Sequence, residues 1–153
     1  MSNAEVAIAR LIHASAHYLD EHNFDAYVEL FADEGEYLIV TKAPELPKLM
    51  TWMQRSKAEL AERFDAAPEH EWQIMQQDQT RLVSVNMLKV SNDTASSSSN
   101  FTVYNTDEQG RSSCFAIGCY EDRWSMKDEN WLLEQRKVVL KTRLLASPTA
   151  LPL

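Results

Sequence analysis

The second half of the chain places the tightest limit on its fold. Four runs, Arg81–Val90, Ala95–Asn105, Ser112–Lys127 and Trp131–Thr142, are rich in Val, Phe, Tyr, Trp, Thr and Ser. These residues suit a pleated, half-buried surface. Only Ser91-Asn92-Asp93, Thr106-Asp107-Glu108-Gln109-Gly110 and Lys127-Asp128-Glu129-Asn130 separate them. Such polar stretches make turns and are too short for the crossover that parallel neighbours need. The spacing therefore predicts successive antiparallel hairpins. The serine run Ser96-Ser97-Ser98-Ser99 falls inside the second of these runs, with Phe101, Val103 and Tyr104 close behind, and reads as a strand with a hydroxyl-rich face.

The first part of the chain has a different period. Ile8, Leu11, Ile12, Ser15, Tyr18 and Leu19 recur at three-and-four spacing, which predicts a helix. Asp20-Glu21-His22-Asn23 breaks it, and Asn23 suits the N-cap of a second, shorter helix striped by Phe24, Tyr27, Val28 and Phe31. Gly35 marks the exit into an extended run, Glu36–Thr41. Pro44 and Pro47 punctuate a loop. A third helix is expected from Gln54 to Phe64, with Met53, Lys57, Leu60, Ala61 and Phe64 on one side and Pro68 beyond its end. Helices followed by a long meander give an α+β class: N-terminal helices packed on a strongly curved, mostly antiparallel sheet. One domain is expected over residues 1–153, with a core over 5–143 and an extended tail over 144–153 that stays mobile unless a partner holds it.

Composition removes several function classes. Three glycines in 153 residues leave little room for a phosphate-cradling loop. A net charge of −8 argues against nucleic acid and anionic membrane surfaces as partners. The sequence has no apolar run of about 18 residues, the length a membrane helix requires, and a cytoplasmic location is expected. Cys114 and Cys119 lie at odd spacing in one apolar stretch, which on a regular strand sends them to opposite faces; they read as two buried, unpaired thiols.

Few residues suggest chemistry of their own. His13 and His17 share a helix face and could hold a metal, but no glutamate lies between them and no third ligand is specified, so they read as surface histidines. His17, Tyr18, Asp33 and Tyr37 could line a pocket between the early helices and the sheet, where an acid, an imidazole and a phenol would suit proton transfer on a small ligand. The blander reading makes the tyrosines core residues and Asp33 a loop residue. Glu134, Arg136, Lys137, Lys141 and Arg143 suggest a solvated strand face. Trp52, Trp124 and Trp131, with Arg136, form a candidate interface strip, because tryptophan and arginine are enriched in binding hot spots.

Several stretches together resemble a known family. Tyr18–Tyr27, running on to Leu30–Tyr37, resembles the opening of the small, or beta, subunits of aromatic-ring-hydroxylating dioxygenases. Thr80-Arg81-Leu82-Val83-Ser84-Val85-Asn86-Met87 resembles that family's Thr-Arg-His-Leu-Val-Ser-Asn-Val strand, with the histidine absent. Ala95–Tyr104 and Trp131–Leu140 are similar to two later strands. The resemblance spans about residues 5–143 and implies the cone-shaped, nuclear-transport-factor-2-like (cystatin-like) roll. It implies a metal-free, non-catalytic chain that trimerises and supports alpha subunits, commonly three with three. The Rieske cluster and mononuclear iron would lie in the alpha chain, and the complex would dihydroxylate aromatic rings with electrons from NAD(P)H. The same superfamily includes stand-alone isomerases, dehydratases and cyclases. For that alternative an open pocket lined by His17, Tyr18, Asp33 and Tyr37 would be required.

Overall fold

The computed structural model describes residues 1–45, 47–66, 78–143, 145 and 152–153. Three helices, α1 (Asn3–Asp20), α2 (Phe24–Glu29) and α3 (Lys57–Ala66), accompany six strands. The strands are β1 (Phe31–Lys42), β2 (Leu49–Ser56), β3 (Asp78–Ser91), β4 (Thr94–Thr106), β5 (Ser112–Lys127) and β6 (Asn130–Leu140). They form one sheet in the order β2-β1-β6-β5-β4-β3. The β1–β6 pairing is parallel and the others are antiparallel. The expected helices-then-meander plan is thus the fold.

Each helix starts where the chain can satisfy its free N–H groups. Ser2 caps α1, its hydroxyl accepting from the Glu5 amide at 3.2 Å while the Glu5 carboxylate accepts from the Ser2 amide at 2.7 Å. Asn23 caps α2 as expected, through the Ala26 amide. The start of α3 differs from expectation. Residues 54–56 belong to β2, and the helix begins at Lys57, where Ser56 and Glu59 form a second reciprocal cap. A strand replaces the expected loop and first helical turn because Leu49–Ser56 finds a pairing partner in β1. Phe31, expected on the α2 stripe, opens β1 instead and remains fully buried. Pro68 and Ser147–Leu151 lie outside the described residues.

Irregular pairing bends the sheet. All five pairings carry a register shift. A bulge adds local twist and turns the strand, so a sheet bulged this often curls around its helical layer. It also changes which face a residue occupies. At Phe115, β5 has one residue more than β4, since Cys114 pairs Tyr104 and Ala116 pairs Val103. Cys114 is therefore exposed and Cys119 half-buried, both off the core-facing row of Gly118, Tyr120, Asp122 and Trp124. The expectation of two buried thiols, on opposite faces of a regular strand, does not hold, because the bulge turns Cys114 to the same outer side as Cys119.

The core lies between this concave face and the helices. Ile8, Ile12 and Leu19 of α1 meet Tyr37, Phe101, Tyr120, Trp124, Leu133 and Val138 of the sheet. The tail also differs from expectation at its end: Pro152 and Leu153 are buried, and Leu153 joins this core. Gly118 faces Phe101 across the strand pair, and a Cβ there would lie 2.5 Å from the Val139 carbonyl oxygen and 2.8 Å from the Phe101 ring. Overpacking of this kind costs about 1–3 kcal/mol. Gly118→Ala is therefore expected to lower the melting temperature by several degrees, measured by circular dichroism; an unchanged value would mean the strands separate freely at this point.

Candidate functional site

The concave interior gathers the buried polar side chains. Sheet register builds the gathering, since Tyr37 of β1 pairs Arg136 of β6, which pairs Asp122 of β5, which pairs Ser97 of β4. All four point to the concave side and are buried. Arg136 donates through Nε to Asp122 Oδ1 at 2.9 Å and through Nη2 to Oδ2 at 2.8 Å, a two-pronged contact. Its Nη1 donates to Ser15 Oγ of α1 at 2.8 Å, and that hydroxyl in turn donates a hydrogen bond to the Ile12 carbonyl at 2.6 Å. The guanidinium lies 4.3 Å over the Tyr120 ring, which stacks on Phe101 at 4.4 Å. Ser97 takes up the Trp124 indole N–H at 2.9 Å.

A second group closes one end of the interior. Arg81 of β3 donates from its backbone and its Nη1 to the two oxygens of Asp20, at 3.0 and 2.7 Å. Its Nη2 reaches Gln79 Oε1 at 3.1 Å and the Pro152 carbonyl at 2.8 Å. The Leu153 amide donates to the Tyr37 hydroxyl at 2.9 Å.

Electrostatics follow from burial. Desolvation raises the Tyr27, Tyr37 and Tyr120 phenols above their ordinary value, and the positive charge of Arg136 only partly offsets this. Burial alone would lower the Arg136 guanidinium, but the charge and hydrogen bonds of Asp122 outweigh it and hold the group above its ordinary value. Each Asp122 oxygen accepts from Arg136 and each Asp20 oxygen from Arg81. The interior carboxylates are thus committed to arginines, and the phenols hold their protons at neutral pH.

The residues expected to form a pocket are not brought together. Tyr37 lies in the interior and Tyr18 is half-buried on α1. His17 is exposed in the last turn of α1, where a basic group complements the helix dipole. Asp33 is on the surface, 3.9 Å from Lys57 and 4.0 Å from Lys127. Among the interface candidates, Trp52 is 40% exposed on β2, whereas Trp124, Trp131 and Arg136 are buried in the chain's own core. The solvated face expected around Arg136 fails at a bulge: Trp124 pairs Leu133 and Arg123 pairs Gln135, leaving Glu134 extra and turning Arg136 inward. Sequence reading missed Tyr27, Arg81, Tyr120 and Asp122 as interior polar groups. The one signal available was Asp122 itself, a carboxylate set at strand spacing between Tyr120 and Trp124. Among the described residues no three His, Cys, Asp or Glu side chains are grouped to hold a metal, and no helix is long and apolar enough to cross a membrane.

Known proteins resemble this chain along nearly its whole length. The family model described as the ring hydroxylating beta subunit matches residues 14–147. The beta subunit of 2-aminobenzenesulfonate 2,3-dioxygenase from an Alcaligenes species is 26% identical over 140 residues, covering 92% of this chain and 93% of that one. A crystal structure from Novosphingobium aromaticivorans, assigned as the beta subunit of an aromatic-ring-hydroxylating dioxygenase, superposes with a TM-score of 0.79 at 22% identity, covering 94% of this chain and 92% of that one. Naphthalene 1,2-dioxygenase with indole bound gives 0.72 at 18% identity, over 96% of this chain and 84% of that one.

Two outcomes are expected from the interior. Arg136→Met leaves the Asp122 charge buried without its partner and should cost about 3–5 kcal/mol, while Arg136→Met with Asp122→Leu should recover most of the loss; urea unfolding of the three proteins checks this. The phenols set a pH limit. Their folded pKa values lie above the unfolded value of 10.0, so the neutral phenols stabilise the fold fully below pH 10 and lose that contribution as pH rises through the folded values. Phenolate absorbance during alkaline titration should show these three groups ionising only as the protein unfolds.

Proposed function

Because the chain belongs to the ring hydroxylating beta subunit family, we propose that it is the metal-free, structural subunit of a multicomponent aromatic-ring-hydroxylating dioxygenase. Its partner would be an alpha subunit carrying the Rieske cluster and the mononuclear iron, three with three about a trimer of this chain in the cytoplasm. The chain would hold the alpha subunits in register and make no bond to substrate.

The observation that carries this reading is the state of the interior. Tyr27, Tyr37, Tyr120, Phe31, Phe101 and Trp124 fill it, each at most 1% exposed, and Leu153 is seated among them. General acid–base catalysis needs a group with a pKa near the working pH and within reach of a substrate proton. The interior offers carboxylates tied to arginines and phenols held in the neutral form. The stand-alone isomerase, dehydratase or cyclase reading draws no support from such a site.

A supporting role needs a contact surface rather than a pocket. Exposed apolar side chains lie on the two edge strands, Leu49, Met50 and Trp52 on β2 and Leu82 and Met87 on β3. Trp52 has the size and exposure of an anchor.

Affinity capture of the chain from its native host, followed by mass spectrometry and iron analysis, tests the proposal. A larger iron-bearing chain is expected in near-equal molar amount; recovery of the chain alone, free of iron, would reverse the reading. Trp52→Ala is expected to weaken that association about tenfold or more without changing the melting temperature.

A further inference from the structure

The sheet has a second polar gathering, on the side away from the helices. A cleft of about 560 Å³ is lined there by Lys89, Ser91, Ser96, Arg123, Ser125 and Glu134, among others. Strand alternation explains the lining. Leu88, Val90, Ala95, Ser97, Asp122 and Trp124 turn toward the core, so Lys89, Ser96 and Arg123 between them face outward. These three stand in one row, Lys89 opposite Ser96 and Ser96 opposite Arg123. Adjacent strands are about 4.8 Å apart, so the two cationic side chains leave the backbone about 10 Å apart with the Ser96 hydroxyl between them. Glu134, the extra residue of the β5–β6 bulge, comes to the same side, where its carboxylate accepts from Ser125.

The cations of this row are unmatched. Lys57, Lys127, Lys137, Arg111 and Arg143 each have a carboxylate within 4.0 Å. Lys89 and Arg123 make no hydrogen bond or ion pair among the described residues. Glu36 lies one strand beyond Gln135 in the same row, but Gln135 and Gln54 occupy its two oxygens. Two like charges flanking one position on a sheet face repel each other, and an anion seated between them relieves that repulsion. The guanidinium fork matches the oxygens of a phosphate, and the ammonium adds a point charge. A phosphate monoester carries close to two negative charges at neutral pH, the number needed to balance both cations. Glu134 repels a bare anion, yet its second oxygen is free among the described residues to accept from a hydroxyl. That pairing of groups favours a phosphate carried on a polyol. The volume is that of a small-molecule site.

We propose that this outer cleft binds a small phosphorylated polyol, with Lys89 and Arg123 on the phosphate above Ser96 and Glu134 accepting from a ligand hydroxyl. The net charge of −8 disfavours extended polyanions, so the site suits a ligand with a single phosphate. The cleft is separate from the filled interior, and the inference does not rest on the subunit role proposed above.

Calorimetric titration of the intact chain at low ionic strength with glycerol 3-phosphate, inorganic phosphate and glycerol tests this. Glycerol 3-phosphate is expected to bind one equivalent, inorganic phosphate several-fold more weakly, and glycerol not at all. Lys89→Gln and Arg123→Gln should each weaken glycerol 3-phosphate about tenfold or more with no change in melting temperature. Glu134→Ala should abolish the preference for glycerol 3-phosphate over inorganic phosphate. Absence of saturable binding by the intact chain, or unchanged binding by the variant carrying both Lys89→Gln and Arg123→Gln, overturns the proposal. Equal affinity of the intact chain for the two phosphates overturns it as well, because Glu134 would then take no part.

Discussion

A guanidinium with no exposed surface must find its counter-charge and its acceptors inside the protein. Arg136 finds them in Asp122 and Ser15, with the Tyr120 ring above it. Removing both charges from water costs several kcal/mol per ion, which only close geometry and further hydrogen bonds can offset. That demand ties three parts of the fold together. β5 and β6 must pair in one register to set Asp122 opposite Arg136, β1 must lie parallel beside β6 to bring Tyr37 alongside, and α1 must cross the concave face at the height that delivers Ser15. A slip of one residue between β5 and β6 turns one charged group outward and leaves its partner buried alone. The pair therefore specifies the arrangement of the fold more than it adds to its stability.

The sequence made the hairpins legible because turn chemistry and composition are local signals. The boundaries of β3 to β6 fall within about three residues of the runs that anticipated them. Bulges were not legible. A bulge is a difference in count between two strands, and neither strand carries it alone. At Glu134 and Phe115 the extra residue reverses the in–out alternation, which is why Arg136 was placed in solvent and Cys114 in the core. β2 was hidden for a related reason: Leu49–Ser56 has ordinary strand propensity next to two prolines, and only the unpaired edge of β1 makes it a strand.

Of the candidate site, only Tyr37 was found in the interior. Its companions came from positions whose spacing suggested nothing but packing. Tyr27 sat on the apolar stripe of α2, and Arg81 comes from the far edge of the sheet. Their convergence is a property of the curled sheet, which brings β3 over the end of the interior, where Arg81 meets Asp20 of α1. His17 and Asp33, chosen for their chemistry, remain outside because their backbone positions face solvent; residue type alone does not decide burial.

This geometry separates two ways of using one scaffold. A curled sheet over helices leaves a hollow whose contents decide the function, and the fold itself does not. Leaving the hollow open and a carboxylate free would make it a reaction chamber. Here two arginines tie down both interior carboxylates, three phenols keep their protons, and a leucine fills the space between them. An interior filled in this way fits the supporting role proposed for the chain. The informative surface then moves outward, to the edge strands and Trp52, where an isolated sequence is least able to distinguish a contact residue from an ordinary exposed one.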